Sequence, residues 1–159
     1  MGISRRDFVK AGAGAFFVAS SERLFGADAP SSRVRFAIAG CREGGRGQTV
    51  LDNALKVPGV DIVCVCDVDS RAMDFAAEAV RGRTGRVPRK ERDFRKVLEM
   101  GDVDGVISVT PDHFHAYSAV MAMRAGKHVY VEKPCAYCPR ECEVIRETWR
   151  ETGMCFQMG

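Results

Sequence analysis

Two short polar motifs lie late in the chain, each directly after an apolar run. The first is TPDHFH at residues 110–115, and the second is EKP at residues 132–134. If the apolar runs are parallel strands, both motifs lie at the carboxyl edge of one sheet, where α/β proteins bind ligands. A lysine there can hydrogen-bond a substrate hydroxyl and stabilise negative charge that develops on its oxygen. Lys133 is therefore a candidate catalytic residue, and Glu132 is a carboxylate that could pair with it and hold its orientation.

A glycine-rich segment, GCREGGRG at residues 40–47, follows the first apolar run. Glycines let the backbone turn tightly and approach a diphosphate, whose charge the amides at a helix N-terminus can meet. The segment is two residues longer than GxGxxG. Aligning its ends makes Gly40 the turn glycine and Gly47 the glycine that packs helix against strand. Gly44 or Gly45 then approaches the phosphates, while the alternative is an ordinary flexible connection.

An acidic residue follows the second apolar run at the spacing of a dinucleotide-binding pattern. Asp67 comes about 20 residues after Gly47, where a carboxylate accepts hydrogen bonds from the adenosine ribose hydroxyls. Such a carboxylate repels a 2′-phosphate and so favours NAD. Arg71 could weaken that preference from the next helix, which leaves NADP possible. The alternative role of Asp67 is to complement the positive end of that helix.

Apolar runs of strand length alternate with segments of helical period from Arg33 onward. This alternation predicts an α/β fold with a doubly wound, mostly parallel sheet, a Rossmann fold. The predicted strands are 34–39, 61–66, a short one near 87, 105–109, 128–131 and 154–158. The predicted helices are 48–55, 70–80, 93–100, 115–124 and 139–151. We expect Ser70 to cap the second helix.

Composition limits the classes of partner. A chain of 159 residues with 46% hydrophobic content suits one globular domain with a sizeable core. The net charge of +3 comes from 24 basic and 21 acidic residues spread along the sequence, without the basic patch that nucleic acid requires. The longest apolar segment falls far short of the roughly 20 residues that cross a bilayer. We expect no nucleic-acid partner and no membrane span.

The N-terminus resembles a twin-arginine export signal. Arg5 and Arg6 are followed by Phe8 and by a weakly apolar, Gly/Ala-rich stretch at residues 11–19. The alternative is an amphipathic helix. We therefore divide the chain into a signal and linker at 1–32 and an NAD(P)-binding Rossmann domain at 33–159. The expected partner is the twin-arginine export machinery, and the expected location is the periplasm or another extracytoplasmic space.

Three of the seven cysteines, Cys135, Cys138 and Cys142, have a spacing that suggests a metal or cluster site. Three thiolates leave a tetrahedral set incomplete, and the last two lie four residues apart at a predicted helix start. Cys64 and Cys66 belong to a predicted buried strand and suit the role of small hydrophobic residues. We therefore predict no metal site, and the odd total argues against a complete disulfide framework.

In order and spacing, the segments 44–47, 66–69, 110–115 and 126–134 resemble the glucose-fructose oxidoreductase/inositol dehydrogenase (Gfo/Idh/MocA) family. The resemblance covers nearly everything after Arg33. It implies that the residues near nicotinamide and substrate are Glu132 and Lys133. The predicted cofactor-binding residues are Gly40, Gly44, Gly45, Arg46, Gly47, Asp67, Thr110, Pro111, Asp112 and His115. For His113 and His115, ligand contact and a capping or packing role both remain open.

The resemblance implies a nicotinamide-dependent oxidoreductase that acts on a sugar, cyclitol or related polyol. Hydride would move between C4 of the nicotinamide and a carbinol carbon, with Lys133 polarising the oxygen. The family includes NAD-dependent glycoside hydrolases, so a hydrolase is the alternative, and a nucleotide-binding module without turnover is another. Such proteins carry a second α/β domain that completes the substrate site and often mediates association. We expect that domain to be absent from this chain, the chain alone to bind NAD without turnover, and the full-length form to be capable of oligomerising.

Overall fold

The computed structural model describes residues 33–159, and the predicted export signal lies outside them. The described residues form a six-stranded sheet whose paired strands are all parallel. The strands are β1 (Val34–Ala39), β2 (Val60–Cys66), β3 (Arg89–Glu91), β4 (Gly105–Ser108), β5 (His128–Val131) and β6 (Phe156–Met158). The helices are α1 (Arg46–Ala54), α2 (Ser70–Thr84), α3 (Phe94–Leu98), α4 (Asp112–Arg124) and α5 (Pro139–Thr152).

The strand order is β3-β2-β1-β4-β5-β6. The chain builds the sheet outward from β1 in one direction through β3, then returns to place β4 on the other side of β1. Connections that leave neighbouring strands in opposite directions open a crevice at the carboxyl edge, between β1 and β4. This order confirms the predicted Rossmann fold. No helix of residues 33–159 is long and apolar enough to cross a membrane.

The core has two layers, one on each face of the sheet. Successive side chains of a strand point to opposite faces, so Ala37 and Ala39 join one buried cluster while Ile38 joins the other. Helices α1 and α2 contribute to the cluster around Ile38, whereas α3, α4 and α5 contribute to the opposite one. Coverage on both faces is the reason that the central strands read as continuous apolar runs.

Some helix starts differ from the sequence prediction. The cap of α2 is Asp69 rather than Ser70, because the Asp69 carboxylate accepts the amide of Arg71 at 2.9 Å. Helix α4 begins at Asp112, three residues before the predicted start at His115. Pro111 supplies an extended N-cap backbone there, and Asp112 places a negative charge in the first turn. His115 therefore lies inside the helix.

Candidate functional site

A cleft of about 750 Å³ opens at the carboxyl edge of the sheet. Strands β1, β2 and β4 each deliver predicted site residues to its walls, namely Gly40, Asp67, Thr110 and Pro111. His113 also lines the cleft. The other predicted cofactor-binding residues do not line it: Gly44, Gly45, Arg46, Gly47, Asp112 and His115. Of the predicted cofactor-binding residues, four therefore line this cleft, and the other six lie outside it.

The walls of this cleft also contain residues to which sequence reasoning gave no site role, among them Val68 and Arg92. Val68 directly follows Asp67 and is exposed. The Arg92 guanidinium donates from Nη2 to the Val68 carbonyl oxygen at 3.0 Å. Arg92 follows β3, whose sequence Arg-Lys-Glu carries no apolar pattern. A strand without that pattern gave no signal that the next residue would reach the cleft.

Two glycines of the segment 40–47 are required by close backbone contacts. A Cβ on Gly40 would meet the Val109 carbonyl, and one on Gly47 would meet the carbonyl of Gly40. Gly40 also has a φ of +89°, which strongly favours glycine. The backbone after β1 therefore passes directly against the end of β4, and α1 packs directly against that turn.

The start of α1 fits the diphosphate of a dinucleotide. Gly45 is the N-cap, no side chain caps the helix, and its first turn holds no acidic residue. The first amides of a helix lack intrahelical partners and carry partial positive charge, which makes them a binding site for phosphate oxygens.

Asp67 joins the glycine segment to the start of α2. Its Oδ2 accepts the amide of Cys41 at 2.8 Å, and its Oδ1 accepts the amide of Asp69 at 3.0 Å. The carboxylate is half-buried and lines the cleft. Each carboxylate oxygen has a second lone pair, so both can accept a further hydrogen bond from a ligand hydroxyl. The geometry suits a ribose 2′,3′-diol.

Arg71, considered as a group that could receive a 2′-phosphate, already has an acidic partner. Its Nη2 lies 2.9 Å from Oδ2 of Asp69. The side-chain hydrogen bond from Arg71 is the main reason that the pKa of Asp69 lies below its ordinary value. Both side chains are exposed, so the pair contributes little to stability. The Asp69 carboxylate nevertheless offsets the positive charge of Arg71, which would otherwise favour the 2′-phosphate of NADP.

His115 is 1% exposed and joins two loops. Its Nδ1 lies 2.6 Å from the carbonyl oxygen of Pro134, and its Nε2 lies 2.7 Å from that of Thr110. Carbonyl oxygens can only accept, so a ring nitrogen that carries a proton donates to the carbonyl beside it. Of the two roles left open by the sequence, the structure places His115 in the packed one, beneath the loops that follow β4 and β5.

Glu132 has a different partner from the one predicted. Its carboxylate is 3% exposed, and Oε1 accepts Arg46 Nε at 2.8 Å and lies 2.7 Å from Arg46 Nη2. The Tyr130 hydroxyl donates to the same oxygen at 3.0 Å. Burial raises the pKa of Glu132, but the hydrogen bonds from Arg46 and Tyr130 outweigh it and hold the pKa below its ordinary value. The residue is therefore an ionised, buried carboxylate.

The suggested pairing of Glu132 with the Lys133 ammonium is wrong, because the Glu132 carboxylate is held by Arg46 and Tyr130 instead. Glu132 turns inward while Lys133 is exposed. Within residues 33–159 the Lys133 ammonium has no hydrogen-bond or ion-pair partner, although its backbone amide donates to Glu132 Oε2 at 3.3 Å. Lys133 therefore presents a cation at the sheet edge.

Two of the cysteines after Pro134, Cys135 and Cys142, are in contact. Burial, together with its contact to Cys142, raises the pKa of Cys135. Cys138 is the N-cap of α5, and Cys142 lies one turn further on. In the part of the chain that the structure describes, no group of three or more His, Cys, Asp or Glu side chains could hold a metal ion. Burial raises the pKa of Cys66 to about 12, which keeps that thiol neutral.

Comparison with known proteins identifies similar domains. The model of the oxidoreductase family with an NAD-binding Rossmann fold (Gfo/Idh/MocA) matches residues 34–159. A glycosyl hydrolase family 109 protein of Saccharopolyspora erythraea is 39% identical over 130 residues, which are 79% of this chain and 28% of that protein. The 4-carboxy-2-hydroxymuconate-6-semialdehyde dehydrogenase of a Sphingobium species is 36% identical over 126 residues, 79% of this chain and 38% of that protein.

Among solved structures, the scyllo-inositol dehydrogenase of Lactobacillus casei with bound NAD(H) and scyllo-inositol aligns with a TM-score of 0.71 and 25% identity. The alignment covers 80% of this chain and 36% of that one. This chain thus spans roughly a third of the length of the proteins that it resembles.

Gly40→Ala tests the close backbone approach. It forces a side chain into a positive-φ turn and displaces the Val109 carbonyl, so we expect a loss of roughly 3 kcal/mol in unfolding free energy. Gly44→Ala is the matched control: its φ is +68°, but no atom lies within 4 Å of the added Cβ. It should lose only about 1–2 kcal/mol. Urea unfolding measures both, and equal losses would contradict the close-approach argument.

Proposed function

Because this chain belongs to the Gfo/Idh/MocA oxidoreductase family, we propose that it forms the cofactor-binding half of a nicotinamide-dependent enzyme that oxidises or reduces a sugar, cyclitol or related polyol. The domain itself is an NAD-binding Rossmann domain. The observation that carries the proposal is the placement of Asp67, the Gly40 turn and Lys133 along one sheet edge. They follow β2, β1 and β5 in the strand order β2-β1-β4-β5.

That placement matches the order of groups in a dinucleotide. Three strand spacings of about 4.8 Å separate the ends of β2 and β5, a span of roughly 14 Å. Asp67 at one end suits the adenosine ribose, and the Gly40 turn with the start of α1 suits the diphosphate. Lys133 then lies toward the nicotinamide end, where the substrate must meet the cofactor.

The chain's own residues bind and orient the cofactor and polarise the substrate oxygen. When bound, NAD supplies a nicotinamide that accepts or returns a hydride. The amides at the start of α1 hold the diphosphate, and Asp67 accepts hydrogen bonds from the ribose hydroxyls. The Lys133 ammonium donates a hydrogen bond to the substrate oxygen and stabilises its negative charge, which builds up as the hydroxyl proton passes to a base in oxidation, or as the carbonyl carbon gains hydride in reduction.

The polyol substrate class is supported by the similar dehydrogenase, whose structure holds scyllo-inositol together with NAD(H). An ammonium without a protein partner suits a neutral, hydroxyl-rich ligand, because it can donate to a hydroxyl oxygen without breaking an ion pair. Substrate contacts beyond Lys133 would come from a second, substrate-binding domain of the kind that the family resemblance implies. Oligomerisation is proposed for the full-length form through that domain.

A glycoside hydrolase is the second candidate, because relatives up to 40% identical are glycosyl hydrolase family 109 proteins. Such an enzyme would remove a hydride from the sugar, eliminate the glycosidic leaving group, add water and return the hydride. NAD would then emerge unchanged from each cycle. The chemistry at Lys133 is the same in both candidates, so the sheet edge suits either one, and the overall oxidation state of the product separates them.

Product analysis in an intact homologue that spans both domains separates the two candidates. A dehydrogenase produces one NADH for each polyol oxidised, followed at 340 nm, whereas the hydrolase releases sugar and leaving group with no net NADH. At the position of Lys133, Lys→Met should lower kcat at least roughly a hundredfold, the scale of losing a group that stabilises developing charge. Lys→Met at the position of exposed Lys56 is the control. Glycoside cleavage without NADH would favour the hydrolase.

Calorimetric titration of the 159-residue chain tests cofactor choice. Asp67→Asn removes the carboxylate charge, so we expect NAD affinity to fall roughly ten- to a hundredfold and the preference for NAD over NADP to shrink. Asp69→Asn is the matched control in the same segment and should leave NAD affinity within about threefold. Unchanged NAD binding in Asp67→Asn would contradict the ribose assignment.

We also propose export through the twin-arginine machinery, supported by Arg5, Arg6 and the weakly apolar segment that follows them. In a bacterial host that carries this pathway, the chain should be recovered from the periplasmic fraction. Arg5→Lys with Arg6→Lys should retain it in the cytoplasm, while Arg23→Lys, which lies outside the pair, should leave export unchanged. Periplasmic recovery of the doubly substituted chain would count against this route.

A further inference from the structure

An ion pair connects the glycine turn, which the proposed function assigns to the diphosphate, with the loop after β5, which it assigns to the nicotinamide. Arg46 is the first residue of α1, directly after the glycine turn, and Glu132 precedes Lys133. The two residues are 86 positions apart in sequence. Two guanidinium nitrogens of Arg46, Nε and Nη2, reach the same carboxylate oxygen at 2.8 and 2.7 Å.

We propose that Arg46 and Glu132 form a positioning bridge, which fixes the Lys133 backbone relative to the glycine turn. In this role Arg46 acts through Glu132 and not as a ligand of the diphosphate, which revises the prediction from sequence. The inference rests on the proposed function for its catalytic meaning. It keeps the orienting role that the sequence suggested for Glu132, and it assigns to Arg46 a task that the glycine pattern does not indicate.

The burial of Glu132 separates this bridge from the surface ion pairs. The Arg46 side chain is 57% exposed, but that of Glu132 is only 3% exposed, whereas Arg81 and Glu78, paired within α2, are 58% and 66% exposed. An exposed pair can dissociate into water at little cost, but a buried carboxylate that loses its partner retains a large desolvation penalty. The Arg46–Glu132 contact is therefore held, and the two loops are held with it.

The hydrogen bonds of Glu132 extend the bridge to Lys133. While Oε1 accepts Arg46 and the Tyr130 hydroxyl, Oε2 accepts the Lys133 amide at 3.3 Å. On the other side of Lys133, the carbonyl of Pro134 contacts buried His115. The backbone of Lys133 is thus anchored on both sides. Its ammonium is left as the group with freedom to meet a substrate.

The Lys133 amide reports directly on the bridge, because that amide bonds to Glu132. In the nucleotide-free 159-residue chain, Arg46→Gln should raise hydrogen exchange at this amide about tenfold, as local opening becomes easier by the corresponding factor. Arg81→Gln removes an arginine from an exposed pair and should leave that exchange unchanged. Tyr130→Phe removes one donor to Glu132, together with the contact between the Tyr130 hydroxyl and Arg46, and should give an intermediate increase because the Arg46 guanidinium itself remains.

Titration with ADP distinguishes a positioning residue from a diphosphate ligand. ADP carries the adenosine and the diphosphate but no nicotinamide, so Arg46→Gln should leave its affinity within about threefold while NAD affinity falls about tenfold. Arg46→Lys, which keeps the charge with fewer donors, should recover part of both the NAD affinity and the amide protection.

An unchanged Lys133 exchange rate in Arg46→Gln would overturn the bridge, and so would a loss of ADP affinity as large as the loss of NAD affinity. If Arg46→Gln does not fold, hydrogen exchange at the Lys133 amide is measured in Tyr130→Phe and Arg46→Lys instead, and unchanged exchange in both would overturn the bridge. Failure of the wild-type chain to bind either nucleotide would refute the proposed function. A raised exchange rate in Arg46→Gln would still support the bridge in that case.

Discussion

The close approach of the backbone after β1 to the end of β4 is the constraint on which the site depends. Gly40 lies where a Cβ would meet the Val109 carbonyl, and Gly47 brings α1 against the carbonyl of Gly40. Only because this turn is so tight can the Cys41 amide reach Asp67. The end of β2 and the loop after β4 thereby line one cleft at the reversal of strand order, while the start of α1 packs against the Gly40 turn.

The second half of the site depends on two buried polar side chains. Glu132 and His115 each lose contact with water on burial. Short contacts to protein groups distant in the chain replace the lost water: Arg46 for Glu132, and the Pro134 carbonyl for His115. Because the desolvation cost returns in full when a partner is lost, such contacts hold loops more firmly than exposed pairs do. They connect the loops that follow β4 and β5 to each other and to α1, and they leave the Lys133 ammonium exposed.

Much of the fold could be predicted from local pattern. The bounds of β1 and β5 agree with the sequence prediction to the residue, since apolar runs between turn residues are a local signal. Helix starts were less accurate. Asp69 competes with Ser70 as a cap, and Pro111 shifts the start of α4, because cap choice depends on backbone geometry that a periodic pattern does not contain.

The sequence by itself determined the parallel sheet, the glycine turn and an acidic residue at the end of β2, because each depends on neighbours within a few residues or on a fixed spacing between elements. Tertiary structure decided which side chains meet. Arg46 and Glu132 are 86 positions apart, and no local periodicity encodes a contact at that separation. Burial then assigned the roles: Glu132 became an anchor because its carboxylate is buried against Arg46 and Tyr130, while Lys133, the next residue, became an exposed cation.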